Sequence, residues 1–251
     1  MVEIKNIRKY FDDTPVLHGI DGKFLPGIAN LIIGSSGTGK TVLLKCIVGL
    51  LTPEEGTVTY DGRDFHNADR SEVREIRREI GMLFQGSALF DSKNVQENVG
   101  FPLDMLTHMS KSDKLDRINF VLNRLGLTNT NKKMPSELSG GMKKRVGLAR
   151  AIVNNSKYLF CDEPNSGLDP QTAIVIDSLI QEITEEFNIT TIVVTHDMNS
   201  VMEIGAYVMF MYQGNKLWEG SKNDILNANV KELKEFVYAN RLMTAVKDQT
   251  S

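Results

Sequence analysis

The stretch Gly34-Ser-Ser-Gly-Thr-Gly-Lys-Thr41 lies between a short apolar run and a segment with a helical pattern. It fits G-x-x-x-x-G-K-[ST], whose glycines allow main-chain N–H groups to close around phosphate oxygens without Cβ clashes. The preceding run, Ala29–Ile33, predicts a strand, and Lys40–Val48 predicts a helix that Gly49 ends. The positive end of that helix adds to the attraction for an anion. The stretch therefore predicts a phosphate-binding loop in an α/β fold.

Individual roles within the loop follow from the side chains at its end. Lys40 is expected to reach the β- and γ-phosphates of a nucleotide, and Thr41 to offer its hydroxyl to Mg²⁺. The nucleotide-binding residues predicted in the loop are Gly34, Ser35, Ser36, Gly37, Thr38, Gly39, Lys40 and Thr41.

The remainder of the chain alternates between strand-like and helix-like segments, which favours an α/β fold with a mainly parallel sheet. Thr190–Thr195 is a β-branched run and predicts a central strand. Residues from about 87 to 155 have helical periodicity and predict a helical subdomain. Residues 221–251 predict a C-terminal helical tail. We interpret residues 1–251 as one domain.

Composition limits the class of protein. The 251 residues include 41% hydrophobic and 24% charged residues, which is ordinary for a globular protein. A net charge of −3 argues against nucleic acid as the main partner. We see neither a membrane-spanning apolar run nor a signal peptide, and we expect a cytoplasmic protein. Cys46 and Cys161 lie in apolar stretches, so we expect both to be buried hydrophobic residues.

Two carboxylates follow the predicted strand Tyr158–Cys161. Asp162 is expected to hold Mg²⁺ through water. Glu163, one residue further, is placed to polarise an attacking water molecule. An acidic pair after a strand more often belongs to a solvated loop or caps a helix. Together with the glycine loop, however, the pair favours metal binding and catalysis.

Two other polar residues follow predicted strands. His196 comes directly after Thr190–Thr195 and is expected either to contact the γ-phosphate or to orient Glu163. A purely structural histidine is the simpler alternative, although ligands bind at the carboxyl ends of such strands. Gln85 follows Ile80–Phe84, and its amide is a candidate for the metal shell and for sensing the γ-phosphate.

Leu138-Ser-Gly-Gly-Met142 opens a predicted helix. Ser139 suits the N-cap, and the two glycines after it leave the helix N-terminus bare. We predict an anion site for the γ-phosphate bound by a second copy, formed by Ser139, Gly140 and Gly141. A plain capped helix is the alternative. We expect the basic side chains that follow, Lys143, Lys144 and Arg145, to form a solvated face.

In their order and spacing these motifs resemble the ATPase subunits of ABC transporters over the whole chain. The resemblance implies a P-loop NTPase core with an antiparallel β-subdomain and a helical subdomain, and ATP hydrolysis coupled to transport. In that family, Asp169 of Ser166-Gly-Leu-Asp169 belongs to a loop that crosses the dimer interface. An aromatic near the N-terminus stacks on adenine; Phe11 fits best and Tyr10 is the alternative, although either residue would also suit strand packing.

A narrower resemblance is to the ATPase subunits of Mla/MCE-type phospholipid transporters. It rests on Leu83–Asp91, on Asn94–Val99 and on Met134–Met142, with Met142 at the fifth signature position. Asn165, where many relatives have Thr or Phe, departs from the pattern. The Leu in Gly-Leu-Asp169 also departs from it. Met142 weakens any argument that depends on a polar residue at the fifth position of the signature.

The resemblance implies ATP and Mg²⁺ as cofactors and a second copy of the chain as a partner. It also implies a membrane permease, an MCE-domain lipid-binding protein and a small regulatory subunit, at the inner face of the inner membrane. An amino-acid or other small-solute importer is the main alternative. A soluble ABC ATPase is disfavoured because Gln85 and Ser139 are too close for a long coiled-coil insertion and only one ATPase domain is present. A degenerate regulatory module is disfavoured because every catalytic position is filled.

Overall fold

The computed structural model describes residues 1–239, which form two β-sheets and eight α-helices. The strands are β1 (Val2–Phe11), β2 (Thr14–Phe24), β3 (Ala29–Ile33), β4 (Glu55–Tyr60), β5 (Arg63–Asp64), β6 (Ile80–Leu83), β7 (Tyr158–Asp162), β8 (Thr190–Thr195), β9 (Tyr207–Tyr212) and β10 (Asn215–Gly220). The helices are α1 (Lys40–Ile47), α2 (Arg70–Glu79), α3 (Val95–Leu106), α4 (Lys111–Arg124), α5 (Gly140–Ile152), α6 (Pro170–Glu186), α7 (Met198–Ile204) and α8 (Lys231–Tyr238).

The larger sheet has the strand order β10-β9-β3-β8-β7-β6, and only the pairing of β10 with β9 is antiparallel. The predicted mainly parallel sheet is therefore confirmed, and β8 lies centrally as expected. Its inner strands are buried on both faces, with Leu31 and Ile33 in one hydrophobic core and Ile32 in the other. Burial on both faces explains why these strands are continuous apolar runs.

The smaller sheet is antiparallel, with the order β2-β1-β4-β5. One core lies between this sheet, α1 and the larger sheet. The turn between β4 and β5 contains Asp61 and Gly62, both with positive φ, and Asp-Gly is a residue pair that such tight hairpin turns favour. Cys46 belongs to this core and Cys161 to the other one, so both are buried and free as expected.

Three helices, α3, α4 and α5, lie between residues 87 and 155 and enclose much of the second core. The helical segment is interrupted twice. Ser110 caps the start of α4, and Gly126, with φ +65°, follows its end. Residues 240–251 of the predicted C-terminal tail lie outside the described residues, and the boundaries of the helical subdomain stay a prediction.

The topology of the larger sheet places four candidate residues near one another. Gly34 follows β3, Glu163 follows β7, His196 follows β8, and Gln85 lies two residues beyond β6. Since these four strands are parallel, all of their carboxyl ends meet at one edge, where open α/β sheets bind ligands. Among residues 1–239, every helix is too short or too polar to cross a bilayer.

Candidate nucleotide site

The glycines of the loop between β3 and α1 satisfy specific backbone requirements. A Cβ on Gly34 would lie 2.2 Å from the carbonyl oxygen of Met211. Gly37 and Gly39 have φ values of +80° and +96°, which are unfavourable for residues that have a side chain. No side chain caps α1, and its first turn contains no acidic residue. The loop therefore presents a bare helix N-terminus suited to an anion.

Lys40 is folded back onto the loop. Its Nζ donates hydrogen bonds to the carbonyl oxygens of Gly34, at 2.7 Å, and Ser35, at 2.8 Å. Burial lowers the pKa of Lys40, whereas the carboxylates of Glu163 and Asp162 act to raise it. The ammonium group thus lies among acceptors that phosphate oxygens would replace.

Thr41 and Asp162 form the candidate metal site. The Thr41 hydroxyl donates to Asp162 Oδ1 over 3.0 Å. Burial raises the pKa of Asp162, and the Thr41 hydrogen bond opposes that shift. Residues 1–239 contain no cluster of three or more His, Cys, Asp or Glu side chains able to hold a metal by themselves. A hydroxyl and a carboxylate fit Mg²⁺, which prefers oxygen and usually retains water and phosphate ligands.

Glu163 and His196 are in contact. His196 Nδ1 lies 2.9 Å from Glu163 Oε1 and 2.8 Å from Oε2. The Glu163 side chain is 15% exposed and that of His196 is 56% exposed, so the carboxylate lies at the base of an open site. Of the two contacts expected for His196, the structure therefore contains the one with Glu163. The catalytic roles stay predictions.

One cavity joins eight of the candidate site residues. Its lining includes Ser36, Gly37, Gly39, Lys40, Thr41, Gln85, Glu163 and His196. Ser35 lines a neighbouring cavity, whereas Gly34 and Thr38 are buried behind the loop.

The predicted adenine platform lies apart from this cavity. Phe11 is 45% exposed at the end of β1 and does not line the cavity, whereas Val16 of β2 does. Sequence reasoning missed Val16, because a single valine in an unassigned strand carries no functional signal. Stacking of adenine on Phe11 stays a prediction.

The signature segment, Ser139–Gly141, is also separate from this cavity. Ser139 Oγ accepts a hydrogen bond from Met142 N–H over 3.3 Å and caps α5, as predicted. Ser139 and Gly140 are exposed. A Cβ on Gly141 would lie 2.5 Å from Thr172 Cγ2, so the segment packs closely on α6. The N-terminus of α5 is therefore capped by Ser139 and exposed to solvent at Ser139 and Gly140.

Asp169 is exposed and caps α6. Its carboxylate accepts hydrogen bonds from Thr172 N–H, at 3.0 Å, and Thr172 Oγ1, at 2.6 Å. These bonds lower the pKa of Asp169. In the same loop, Ser166 Oγ accepts a hydrogen bond from Gln85 Nε2 over 3.2 Å. The loop is therefore linked to the candidate γ-phosphate sensor within one chain.

The expectation of a solvated basic face after the signature segment is wrong for Lys144. This side chain is buried, and Nζ donates to the carbonyl oxygens of Gln85 and Glu163. The reason is that three consecutive residues spread over about 200° of a helix, and α5 packs against α3, α4, α6 and β6, which places Lys144 on a packed side. Arg145 is half-buried and donates to the carbonyl oxygens of Leu125 and Gly126.

Asn165, a departure from the family pattern, joins two helices. Its Nδ2 donates to Asp177 Oδ2 of α6, at 2.8 Å, and to Ser200 Oγ of α7, at 3.0 Å. Oδ1 of Asn165 and Oδ1 of Asp177 are buried without a hydrogen-bond partner. Burial raises the pKa of Asp177 to about 6, and Asp197 and Glu203 add to this shift. Hydrogen bonds with Ser200 and Asn165 oppose the shift.

Asp177→Asn is expected to make the protein more stable relative to wild type as pH rises from 5 to 7.5. The pKa of Asp177 is about 6 in the folded state, against an ordinary value of 3.8, so the folded state binds this proton more tightly than the unfolded state does. The resulting stabilisation of the wild type is complete below pH 3.8 and is lost as the pH rises through about 6. Between pH 5 and 7.5 the difference amounts to about 1.4 kcal/mol of unfolding free energy, and it reaches about 3 kcal/mol when the series starts at pH 3. Urea denaturation at several pH values measures it, with exposed Asp116→Asn as control. A pH-independent difference would contradict the assignment.

Comparisons with known proteins agree with this geometry. Residues 17–166 match the family model described as ABC transporter. The chain is 34% identical over 254 residues to the probable ribonucleotide transport ATP-binding protein mkl of Mycobacterium leprae, covering 100% of this chain and 73% of that protein. It is 38% identical over 247 residues to the methionine import ATP-binding protein MetN of Clostridium tetani, covering 97% and 76%.

Solved structures show the same fold. The dimeric bacterial ABC transporter cassette MJ0796 matches with a TM-score of 0.80 at 30% identity, covering 88% of this chain and 99% of that one. A post-hydrolysis state of that cassette, bound to ADP and Pi, matches with a TM-score of 0.79 at 31% identity over the same shares. CbiO1 of Clostridium perfringens, part of the complex cbiONQ, matches with 0.84 at 28% identity, covering 98% of each chain. The predicted ABC ATPase fold is thereby confirmed, and the chain belongs to the ABC transporter family as an ATP-binding, ATP-hydrolysing subunit.

Proposed function

We propose that two copies of this chain enclose two ATP molecules and drive a membrane permease that moves phospholipid. One observation carries the ATP-site part of this proposal: Lys40 and neighbouring residues of the phosphate loop share one cavity with Gln85, Glu163 and His196, while Ser139 and Gly140 are exposed outside it. A second copy would bring its signature segment to that cavity. The dimeric state of the cassette MJ0796 supports this arrangement.

Within each site, the chain would bind the phosphates through the loop's N–H groups and Lys40. Mg²⁺, held by the Thr41 hydroxyl, by Asp162 through water and by the Gln85 amide, would neutralise charge on the phosphate oxygens. Glu163 would polarise the attacking water, with His196 holding its carboxylate. The partner's Ser139–Gly141 would add hydrogen-bond donors to the γ-phosphate.

ATP would close the dimer because the closed state makes contacts to the nucleotide that the open state lacks. Hydrolysis removes the γ-phosphate and with it those contacts, so the dimer opens. The chain would thus work on the cytoplasmic face of the inner membrane, attached through its permease.

A groove beside Gln85 is the proposed permease site. It lies between β6, α3 and α5, and its lining includes Phe84, Phe90, Phe101 and Pro102. The rings of Phe90 and Phe101 are 4.8 Å apart and each is more than a third exposed. Arg150 lies 6.0 Å from the Phe90 centroid and donates to the carbonyl oxygens of Ser87 and Ala88. A coupling helix with an apolar face suits this surface.

Phe101→Asp is expected to reduce recovery of the permease with the tagged chain by about tenfold or more, since central aromatic anchors contribute about 2 kcal/mol or more to an interface. Basal ATPase activity of the isolated chain should be unchanged. Phe120→Asp is the matched control, because Phe120 is 46% exposed on α4 and does not line the groove. Equal loss for both variants would place the permease elsewhere.

The phospholipid cargo rests on the short sequence matches at Leu83–Asp91, Asn94–Val99 and Met134–Met142. The names of two relatives, MetN, a methionine import protein, and mkl, a probable ribonucleotide transport protein, favour a small-solute transporter instead. Native purification from solubilised membranes, with mass spectrometry of proteins and lipids, separates the two. A permease with an MCE-domain protein and phospholipid supports our proposal. A solute permease with a soluble binding protein contradicts the lipid cargo, and recovery without any membrane partner contradicts transport.

A further inference from the structure

Lys144 is a buried cation one turn inside α5, the helix that the signature segment opens. It is 4% exposed, and its pKa is lowered by burial, while Cys161, Glu163 and Asp162 act to raise it. A buried ammonium group is costly unless it is hydrogen-bonded. The two acceptors it contacts, the main-chain oxygens of Gln85 and Glu163, belong to two separate loops of the nucleotide site.

The contact at Glu163 holds a strained backbone. Glu163 has φ +48°, in the left-handed region that costs roughly 1 kcal/mol or more for a residue with a side chain. Its N–H donates to the carbonyl oxygen of Val194 on β8, at 2.9 Å. Its carbonyl accepts from Lys144 Nζ over 3.3 Å and from Ser166 N–H over 3.2 Å. The peptide groups on both sides of the Glu163 Cα are therefore fixed, which sets the direction of its carboxylate.

The contact at Gln85 connects the same ammonium to a second functional loop. The Gln85 carbonyl accepts from Lys144, and the Gln85 side chain donates to Ser166 Oγ. One lysine thus fixes the position of the Gln85 main chain, at the candidate γ-phosphate sensor, relative to the Glu163 main chain, at the candidate general base. Since Lys144 is on α5, this relation is also coupled to the segment that would contact the other copy's ATP.

We propose that Lys144 is a positioning residue for ATP hydrolysis, holding Gln85 and Glu163 in register through their main-chain oxygens. The proposal rests on the proposed site, because it acts through Glu163. Lys144 itself is behind the cavity and touches no reacting atom. Its removal would leave the phosphate loop unchanged, so turnover would fall while the affinity for ATP persisted.

Lys144→Met retains the length of the side chain and removes its hydrogen-bond donors. We expect kcat to fall by about 10- to 100-fold, as for misplacement of a catalytic group by about an ångström. KM for ATP should stay within about twofold, since Lys144 makes no contact with the phosphate loop. Lys144→Arg, which keeps donors and charge, should recover most of the lost kcat. Lys143→Met on the adjacent position is the matched control and should keep the wild-type rate.

A purely structural role would lower both kcat and ATP binding in proportion to lost folding. If Lys144→Met does not fold, Lys144→Gln, which keeps a donor, is measured in its place. Adding Lys144→Met to Glu163→Gln should cause little further loss in single-turnover hydrolysis, because both changes act on one group. Unchanged kcat in Lys144→Met, failure of Arg to rescue, or additive losses would overturn the proposal. An active Glu163→Gln single variant would instead overturn the proposed site.

Discussion

Glu163→Gln is expected to reduce the steady-state rate of ATP hydrolysis by about 10²- to 10⁴-fold, the usual contribution of a general base. Glutamine preserves the size of the side chain and its contact with His196 Nδ1, but it cannot accept a proton from water. Lys40, Thr41 and Asp162 are unchanged, so the variant should still bind ATP. Phosphate release and equilibrium binding of ATP measure the two effects separately.

The variant should also accumulate as an ATP-bound dimer, because closure requires ATP and opening requires hydrolysis. Sedimentation with and without ATP gives this result. Glu75→Gln is the matched control, since Glu75 is exposed on α2 and does not line the cavity around Lys40. If Glu163→Gln turned over at the wild-type rate, the catalytic assignment would be wrong, whatever its oligomeric state.

The parts of the candidate nucleotide site that could be predicted depend on short-range sequence rules. The pattern G-x-x-x-x-G-K-[ST], with an apolar run before it and a helical pattern after it, predicts the loop at Gly34–Thr41 without tertiary information. Parallel strands then place Glu163 and His196 at the same edge. Their contact at 2.9 Å depends on the pairing of β7 with β8, which the sequence indicates only through two apolar runs.

The elements that sequence reasoning missed have weak local signals. α2 is strongly charged, with only Ile76 fully buried, so its apolar stripe is narrow. β1 and β2 pair with register shifts that interrupt their alternation. Tertiary contacts stabilise all three elements, through the core between the two sheets. Such segments form because of packing, which periodicity alone does not predict.

Lys144 did carry a signal in the sequence. Gly141, Leu148 and Ala151 occupy positions three before, four after and seven after it, and all three are buried. A lysine on that apolar face must find acceptors inside the protein. Which acceptors it finds could not be predicted, because Gln85 and Glu163 come from loops 59 and 19 residues away.

Ser139→Arg is expected to abolish hydrolysis while leaving ATP binding to the isolated chain intact. In one copy, Ser139 is exposed and does not line the cavity around Lys40. An arginine there would not block the chain's own phosphate loop, but its bulk would obstruct the partner's γ-phosphate and prevent closure. Ser136→Arg, exposed three residues earlier, is the matched control. Phosphate release, nucleotide binding and ATP-dependent dimerisation are the three measurements.

Mixing two inactive variants gives the sharper test of a site shared between copies. A dimer of one Ser139→Arg chain and one Lys40→Ala chain places both defects in one site and leaves the other site intact. Random pairing makes half of the dimers mixed, so at most about a quarter of the wild-type rate should return. Neither variant alone should give this activity. If each chain formed its whole site by itself, every site in the mixture would keep one defect, and no activity would return. An inactive mixture that is shown to contain mixed dimers would therefore contradict the shared site.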